Sequence, residues 1–323
     1  MHICIAGHNL AKFQPVMDQC LGAAIERRVS ELVVKIKCRT PASLLYSVPG
    51  EVVVGDSLKV LQLEGCVLGD HKTRIDLPHL RKLKLYMCRF SGENVLPEIL
   101  SSCPRMEFLE VSYCDGVCSF LSLPCKLRLK NLTIRCGPCD TQPKKIEIFA
   151  PGLETFDCTL LMPCSMDLVG CTALKRLELQ GAILSADCVP IQHLLRKHLC
   201  VEELKLSGCQ GVDKIQVSSS RLKGLVINDH GTLRGVEIDT PNLLSLEYIC
   251  LHEWCSNNRF CSSRVPKVEE VHMMFSAQTF RSACWSGLKG FLMKLQNYED
   301  LKLLIVSLCI NQAVSFHLPS YGY

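Results

Sequence analysis

One pattern of apolar and polar positions organises the chain: apolar-x-x-apolar-x-apolar. It stands out as Leu58-Lys-Val-Leu61-Gln-Leu63, Leu80-Arg-Lys-Leu83-Lys-Leu85 and Met106-Glu-Phe-Leu109-Glu-Val111. It recurs as Leu129-Lys-Asn-Leu132-Thr-Ile134, Leu153-Glu-Thr-Phe156-Asp-Cys158 and Leu174-Lys-Arg-Leu177-Glu-Leu179. Three further copies start at Val201, Leu222 and Leu243, and weaker ones at Val29, Val268 and Leu301, giving about twelve. Successive starts lie 21 to 29 residues apart, except for a last interval of 33 that reads as an insertion. Within each copy the last three positions alternate, so successive side chains point to opposite faces of a strand. One such strand cannot bury its own apolar face, and stacked copies would form a parallel sheet with return segments behind it.

This period and pattern are those of a leucine-rich repeat. The fold expected is an α/β solenoid, a curved horseshoe with a concave parallel sheet and with helices and turns on the convex side. Strands are expected near Leu61, Leu83, Leu109, Leu132, Phe156, Leu177, Leu204, Leu225 and Leu246. Two returns, 94–103 and 191–199, have helical apolar spacing, whereas 229–240 is too short and reads as turns. Ahead of the first copy, Phe13 to Arg27 reads as an amphipathic helix with Pro15 near its start. Such a helix can cover the open edge of the first strand. The organisation expected is a capping region at 1–28, repeats over 29–310, and a tail at 311–323.

Composition agrees with this picture. Hydrophobic residues make up 48% of the chain but aromatics only 6%, so aliphatic layers must build the core. The mean hydropathy of +0.18 prompts a search for membrane spans. The most apolar stretch, Leu303 to Ile310, falls well below the roughly 18 residues that a spanning helix needs. The first residues have no basic segment ahead of a long apolar one, so no export signal is read there. The expected location is cytoplasmic or nuclear. The net charge is +4, and the basic runs Arg81 to Lys84 and Lys126 to Lys130 alternate with leucines, as on the wet face of a strand. No nucleic-acid partner is expected from such a distribution.

The 22 cysteines read as reduced, buried thiols. Cys66, Cys88, Cys114, Cys209 and Cys309 all fall eight residues after a repeat start, where leucine-rich repeats place Asn or Cys. Cys136-Gly-Pro-Cys139 stands alone and in a loop-like context, and a lone CxxC is weak evidence for zinc or redox chemistry. Cys250, Cys255, Cys261 and His252 match no closed tetrahedral spacing. No phosphate loop, HExxH or nucleophile elbow is present. No enzyme activity, metal or cofactor is expected.

The repeats resemble those of plant F-box/leucine-rich-repeat proteins, a group that often carries a C-terminal FBD segment. The carriers are Ala24 to Leu32 leading into the first strand, Ser57 to Cys66, and the openings Leu77-Pro78-His79-Leu80 and Ala150-Pro151-Gly152-Leu153. The resemblance implies target recognition for cullin-based ubiquitin ligases, with the F-box holding the ligase adaptor and the repeats holding the target. No counterpart of the F-box is expected ahead of the repeats, nor a full FBD segment after them. Adaptor binding is therefore expected only if an F-box is supplied. A stand-alone scaffold or decoy is the alternative. The outward row of the concave face is the candidate site for a protein target: Lys84, Glu110, Asp157, Glu178 and Lys205, with the aromatics Tyr86 and Phe108. Lys84/Glu110 and Glu178/Lys205 would form opposite-charge neighbours, and Asp157 beside Glu178 a like-charge pair that calls for a cation.

Overall fold

The structure is a computed structural model. It describes residues 1–6, 13–37, 45–54, 56–69, 75–117, 119–123, 127–137, 142–184, 200–211, 213–229, 235–250, 259–264, 268–276 and 301–309, with 195, 233, 289, 290 and 293 between them. The expected helical return at 191–199 lies, apart from position 195, outside the described residues. The chain divides into two compact units, Met1–Cys200 and Val201–Tyr323.

In the first unit the front sheet is parallel and runs in sequence order through His2–Ala6, Glu31–Lys37, Val60–Glu64, Lys82–Tyr86, Phe108–Ser112, Asn131–Arg135, Thr155–Thr159 and Arg176–Gln180. From Val60 onward, each strand begins two residues after its repeat start. The register is in phase, so Leu61, Leu83, Leu109, Leu132, Phe156 and Leu177 stand side by side. Leu63, Leu85, Val111, Ile134, Cys158 and Leu179 form a second ladder two residues further on. Both ladders are buried, as are the repeat-start residues Leu58, Leu80, Met106, Leu129, Leu153 and Leu174. Each Leu so buried contributes about 1.5–3 kcal/mol, which makes the three ladders the core of the unit.

The second unit repeats the scheme with Glu203–Ser207, Gly224–Asp229, Ser245–Cys250, Glu270–Ser276 and Leu303–Cys309, again parallel. Leu204, Leu225, Leu246 and Val271 align, and so do Leu206, Ile227, Tyr248 and Met273, all of them buried. The nine strands expected from the pattern are all present, and the three weak copies also form strands. The chain is a leucine-rich-repeat solenoid.

The repeat openings have a shared turn. The amides of Leu80, Met106, Leu153 and Leu243 donate to the carbonyls of Leu77, Cys103, Ala150 and Thr240, three residues earlier. In all four, proline is the second residue of the turn, where its fixed φ is suited to the bend. The residue opening each turn is buried. At the far end of the strand, the seventh residue after the repeat start adopts a left-handed conformation at Gly65, Met87, Tyr113, Gly181 and Gly208. A Cβ on Gly65 or Gly181 would strike the Ile36 or Leu160 carbonyl of the preceding coil. Met87 and Tyr113 take up the same backbone with side chains attached, a conformation that disfavours L-residues by roughly 1–2 kcal/mol.

The next residue explains the phased cysteines. Cys88 donates its thiol to the Leu63 and Tyr86 carbonyls, and Cys114 to those of Leu85 and Ser112, at 3.4–3.5 Å. Cys66 and Cys209 donate to the Glu64 and Ser207 carbonyls. A buried thiol here finds carbonyl acceptors at the corner, so its polar hydrogen is not left unpaired in the core. Burial pushes the Cys66 and Cys114 thiols well above their ordinary value, and it pushes Cys103 up to about 12 and Cys171 up to about 11. These are proton-holding packing groups. Cys250 differs from the expected reduced state, being disulfide-bonded.

The returns depart from expectation. Val95–Ser101 is helical as read, burying Val95, Leu96, Ile99 and Leu100. Most other described returns are short parallel strands: Tyr46–Ser47, Cys66–Leu68 and Arg89–Phe90; then Phe120–Leu123, Lys145–Ile148 and Ser165–Asp167. In the second unit these are Lys214–Ser218, Gly235–Asp239 and Arg259–Arg264. The reading of 229–240 as turns therefore misses a strand. Lys214-Ile-Gln-Val-Ser and Gly235-Val-Glu-Ile-Asp alternate with period two, which suits a second sheet and not a helix.

The N-terminal helix, Gln14–Glu26, forms where expected, with Pro15 in its first turn and Met17, Leu21 and Ala24 buried. It does not cover the edge of Glu31–Lys37, as expected, because His2–Ala6 pairs there instead. The edge amides and carbonyls need hydrogen-bond partners, which a strand supplies directly and a helix does not. Among the described residues, no helix is long and apolar enough to cross a membrane.

Two stability predictions follow from this packing. Leu204→Asp should lower unfolding stability by about 3–5 kcal/mol, because it places an uncompensated charge in the ladder, whereas Lys205→Gln on the adjacent outward position should change it by about 0.5 kcal/mol or less. Thermal unfolding of purified proteins measures both. Thr240 occupies a buried turn-opening position that holds Leu, Cys or Ala in other repeats, and its hydroxyl has no hydrogen-bond partner among the described residues. Thr240→Val should therefore raise stability by about 1 kcal/mol. An unchanged or lowered melting temperature would contradict that account.

Candidate interaction face

The in-phase register that builds the core also fixes the neighbours on the open face of the front sheet. In the first unit the central row runs Gln62, Lys84, Glu110, Thr133, Asp157 and Glu178, each level with the next. The flanking rows carry Lys82 and Phe108 on one side and Tyr86 and Arg135 on the other.

These side chains form a connected cluster. Lys84 Nζ lies 2.7 Å from Glu110 Oε2, as expected for level neighbours of opposite charge. Lys82 and Lys84 place their ammonium groups 5.3 and 5.1 Å from the centre of the Phe108 ring, within cation–π range. The Tyr86 ring meets Tyr113 edge-on at 5.6 Å. Arg135 bridges the carboxylates, with one nitrogen 3.9 Å from Glu110 and the other paired to Asp157. Burial opposes the charge on Arg135, but the Asp157 and Glu110 carboxylates hold its guanidinium above the ordinary value.

Asp157 and Glu178 are level neighbours, as the pattern required, and Arg135 is the cation that Asp157 needed. The sequence reading omitted Arg135, Lys82 and Tyr113 because it followed the central row alone. Arg135 and Lys82 were legible by alternation, since they sit two residues from Thr133 and Lys84 on the same faces. Tyr113 follows its strand in the left-handed turn, and no alternation rule would orient it. Lys205 lies on the first strand of the second unit.

Other charges on the coil edges are simpler pairs. Arg81–Glu107, Lys175–Glu154, Lys223–Glu202 and Lys302–Glu269 join consecutive repeats at 2.7–3.8 Å. Their exposure limits each to about 0–1 kcal/mol. Cys136 is half-buried, whereas Cys139, Cys255 and His252 lie outside the described residues and Cys261 is described only in its backbone. Among the described residues, no group of three or more His, Cys, Asp or Glu side chains could hold a metal ion.

The bridging role of Arg135 has a measurable consequence. Arg135→Met should lower stability by about 1 kcal/mol at neutral pH, discounted because the guanidinium remains partly exposed. The loss should shrink as salt rises, because the pairs are partly exposed and counterions screen them. Denaturant melts of both proteins at low and high salt test this; a difference that widens with salt would refute the assignment.

Comparison with known proteins places this architecture. Residues 4–186 match the family model described as "At1g61320/AtMIF1, LRR domain". The chain is 31% identical over 302 residues to the F-box/FBD/LRR-repeat protein At4g26340 of Arabidopsis thaliana, covering 87% of this chain and 68% of that protein. It is 34% identical over 137 residues to the probable F-box protein At1g60180 of the same plant, covering 40% of this chain and 41% of that protein. A putative FBD-associated F-box protein, At5g56390, is 29% identical over 119 residues, and the chain spans only 26% of its length. No solved structure matches. With its stacked register, its turn cysteines and a family match over more than half of its length, the chain belongs to the At1g61320/AtMIF1 leucine-rich-repeat family.

Proposed function

We propose that this chain is the target-recognition arm of an F-box-type ubiquitin-ligase receptor, holding a protein target on the concave, open face of its front sheet. The coarser statement needs no proposal: the chain is a leucine-rich-repeat module, the kind of scaffold that serves protein interaction. The finer reading is supported above all by similarity across 87% of the chain to an F-box/FBD/LRR-repeat protein. Within the first unit's face, Lys84, Tyr86, Phe108, Glu110, Asp157 and Glu178 are the contact residues; Lys205, on the second unit's own front strands, is proposed as a contact there. Aromatic and charged side chains held in place before binding lose little freedom on contact, and such residues dominate interface energetics. The ligase adaptor would engage an F-box supplied ahead of the repeats and not the repeats themselves. The target is expected in the cytoplasm or nucleus, and no cofactor takes part.

The test uses the immobilised chain to capture partners from plant tissue, followed by affinity measurement on the recovered protein. Asp157→Asn with Glu178→Gln should weaken binding by roughly tenfold, while Glu93→Gln with Glu98→Gln on the return side should leave it unchanged. Equal effects of the two pairs would remove the open face as the site. A version with a family F-box fused ahead of Met1 should bring the cullin adaptor and the target down together. Adaptor capture by the bare chain as strong as by the fusion would refute the division of labour.

A further inference from the structure

The second unit presents an open face of different character. Its in-register positions place Val226, Ile249 and Met274 half-exposed, followed on the last strand by Leu303 and Ile305, which are 45% and 39% exposed. Glu270 stands level with Ser245 and Leu303, and Glu247 stands level with Val226 and His272. The two carboxylates are thus diagonal neighbours on adjacent strands, roughly 7–8 Å apart at the backbone. In the first unit Glu110 and Asp157 already hold lysine and arginine. Glu247 and Glu270 have no ion pair among the described residues.

We propose that this face docks a cationic amphipathic segment of a protein partner, its apolar side chains on Val226, Ile249, Met274, Leu303 and Ile305 and its Lys or Arg side chains on Glu247 and Glu270. Exposed apolar side chains gain from being covered, and the carboxylates among them decide by what. A second copy docking symmetrically through this face would set Glu247 and Glu270 against their own kind, because a two-fold contact uses the same patch on both partners. Like charges brought together in this way disfavour association. An anionic lipid surface is repelled for the same reason. A basic, apolar peptide segment satisfies both parts of the face at once. This surface is additional to the first unit's cluster, and the neutralisation of Asp157 and Glu178 leaves its test unaffected.

The experiment titrates the full chain against a short labelled peptide of alternating Leu and Lys, read by fluorescence anisotropy, with a Leu/Glu peptide in parallel. The Leu/Lys peptide should bind and the Leu/Glu peptide should not. Glu247→Lys with Glu270→Lys, and separately Leu303→Ser with Ile305→Ser, should each weaken binding by roughly tenfold. Glu93→Lys with Glu98→Lys, an equal change in net charge on the return side, should have no effect. Rising salt should weaken the interaction, since the contacting charges are exposed. Melting curves confirm that each variant is folded. Equal binding by the Glu247/Glu270 variant, or an equal loss in the Glu93/Glu98 control, would overturn the proposal. Concentration-dependent self-association abolished by Leu303→Ser with Ile305→Ser would also overturn it, assigning the face to a second copy.

Discussion

A single coil of this chain has no inside. Leu83 and Leu85 are buried only because Leu61 and Leu63 stand on one side of them and Leu109 and Val111 on the other. The in-phase register is therefore the constraint from which everything else follows. A slip of one residue between neighbouring strands would turn both ladders out to water and bring Lys84 and Glu110 into the core. Every apolar ladder therefore fixes an outward row at the same time. The face of the sheet is a by-product of the core, arranged at strand spacing without contacts of its own having to specify it.

The turns keep that register from drifting. A Pro turn opens four of the described strands, and the left-handed seventh position closes five, two of them the same strands. The amide at that position reaches a carbonyl at the end of the next coil's strand: Gly65 to Tyr86, Met87 to Ser112, Tyr113 to Arg135 and Gly208 to Asn228. The cysteine that follows donates to carbonyls at the same corner. Cysteine suits this site because it is small, apolar enough to be buried and still a donor. The high cysteine content thus follows from turn geometry, and the raised thiol values at Cys66, Cys103, Cys114 and Cys171 are what such burial produces.

The two open faces show how the same scaffold can carry different chemistry. In the first unit charge is neutralised locally, with Arg135 between two carboxylates and two lysines over one aromatic ring. Covering such a cluster exacts a desolvation penalty but imposes geometry, so it favours specificity over raw affinity. In the second unit Glu247 and Glu270 have no ion pair among the described residues and stand among half-exposed aliphatic side chains. There a partner's own cations can supply the missing counter-charge.

The sequence by itself determined the period, the front strands that follow each repeat start, which side of each of them is buried, and the row Lys84, Glu110, Thr133, Asp157, Glu178. All of these follow from alternation within a copy and from identical phase between copies. It also placed the helices Gln14–Glu26 and Val95–Ser101, whose apolar residues recur with helical spacing. Only the tertiary structure decided the rest. That His2–Ala6 takes the sheet edge depends on a partner strand some thirty residues away, which no local pattern reveals. The returns at Lys214–Ser218 and Gly235–Asp239 became strands because each found a parallel neighbour in the next coil. Arg135 became the partner of Asp157 because a long side chain can reach diagonally across strands, and a residue-by-residue row hides that reach. Periodicity fixes where a side chain starts and which way it points, whereas its partner is set by what the neighbouring coils bring within reach.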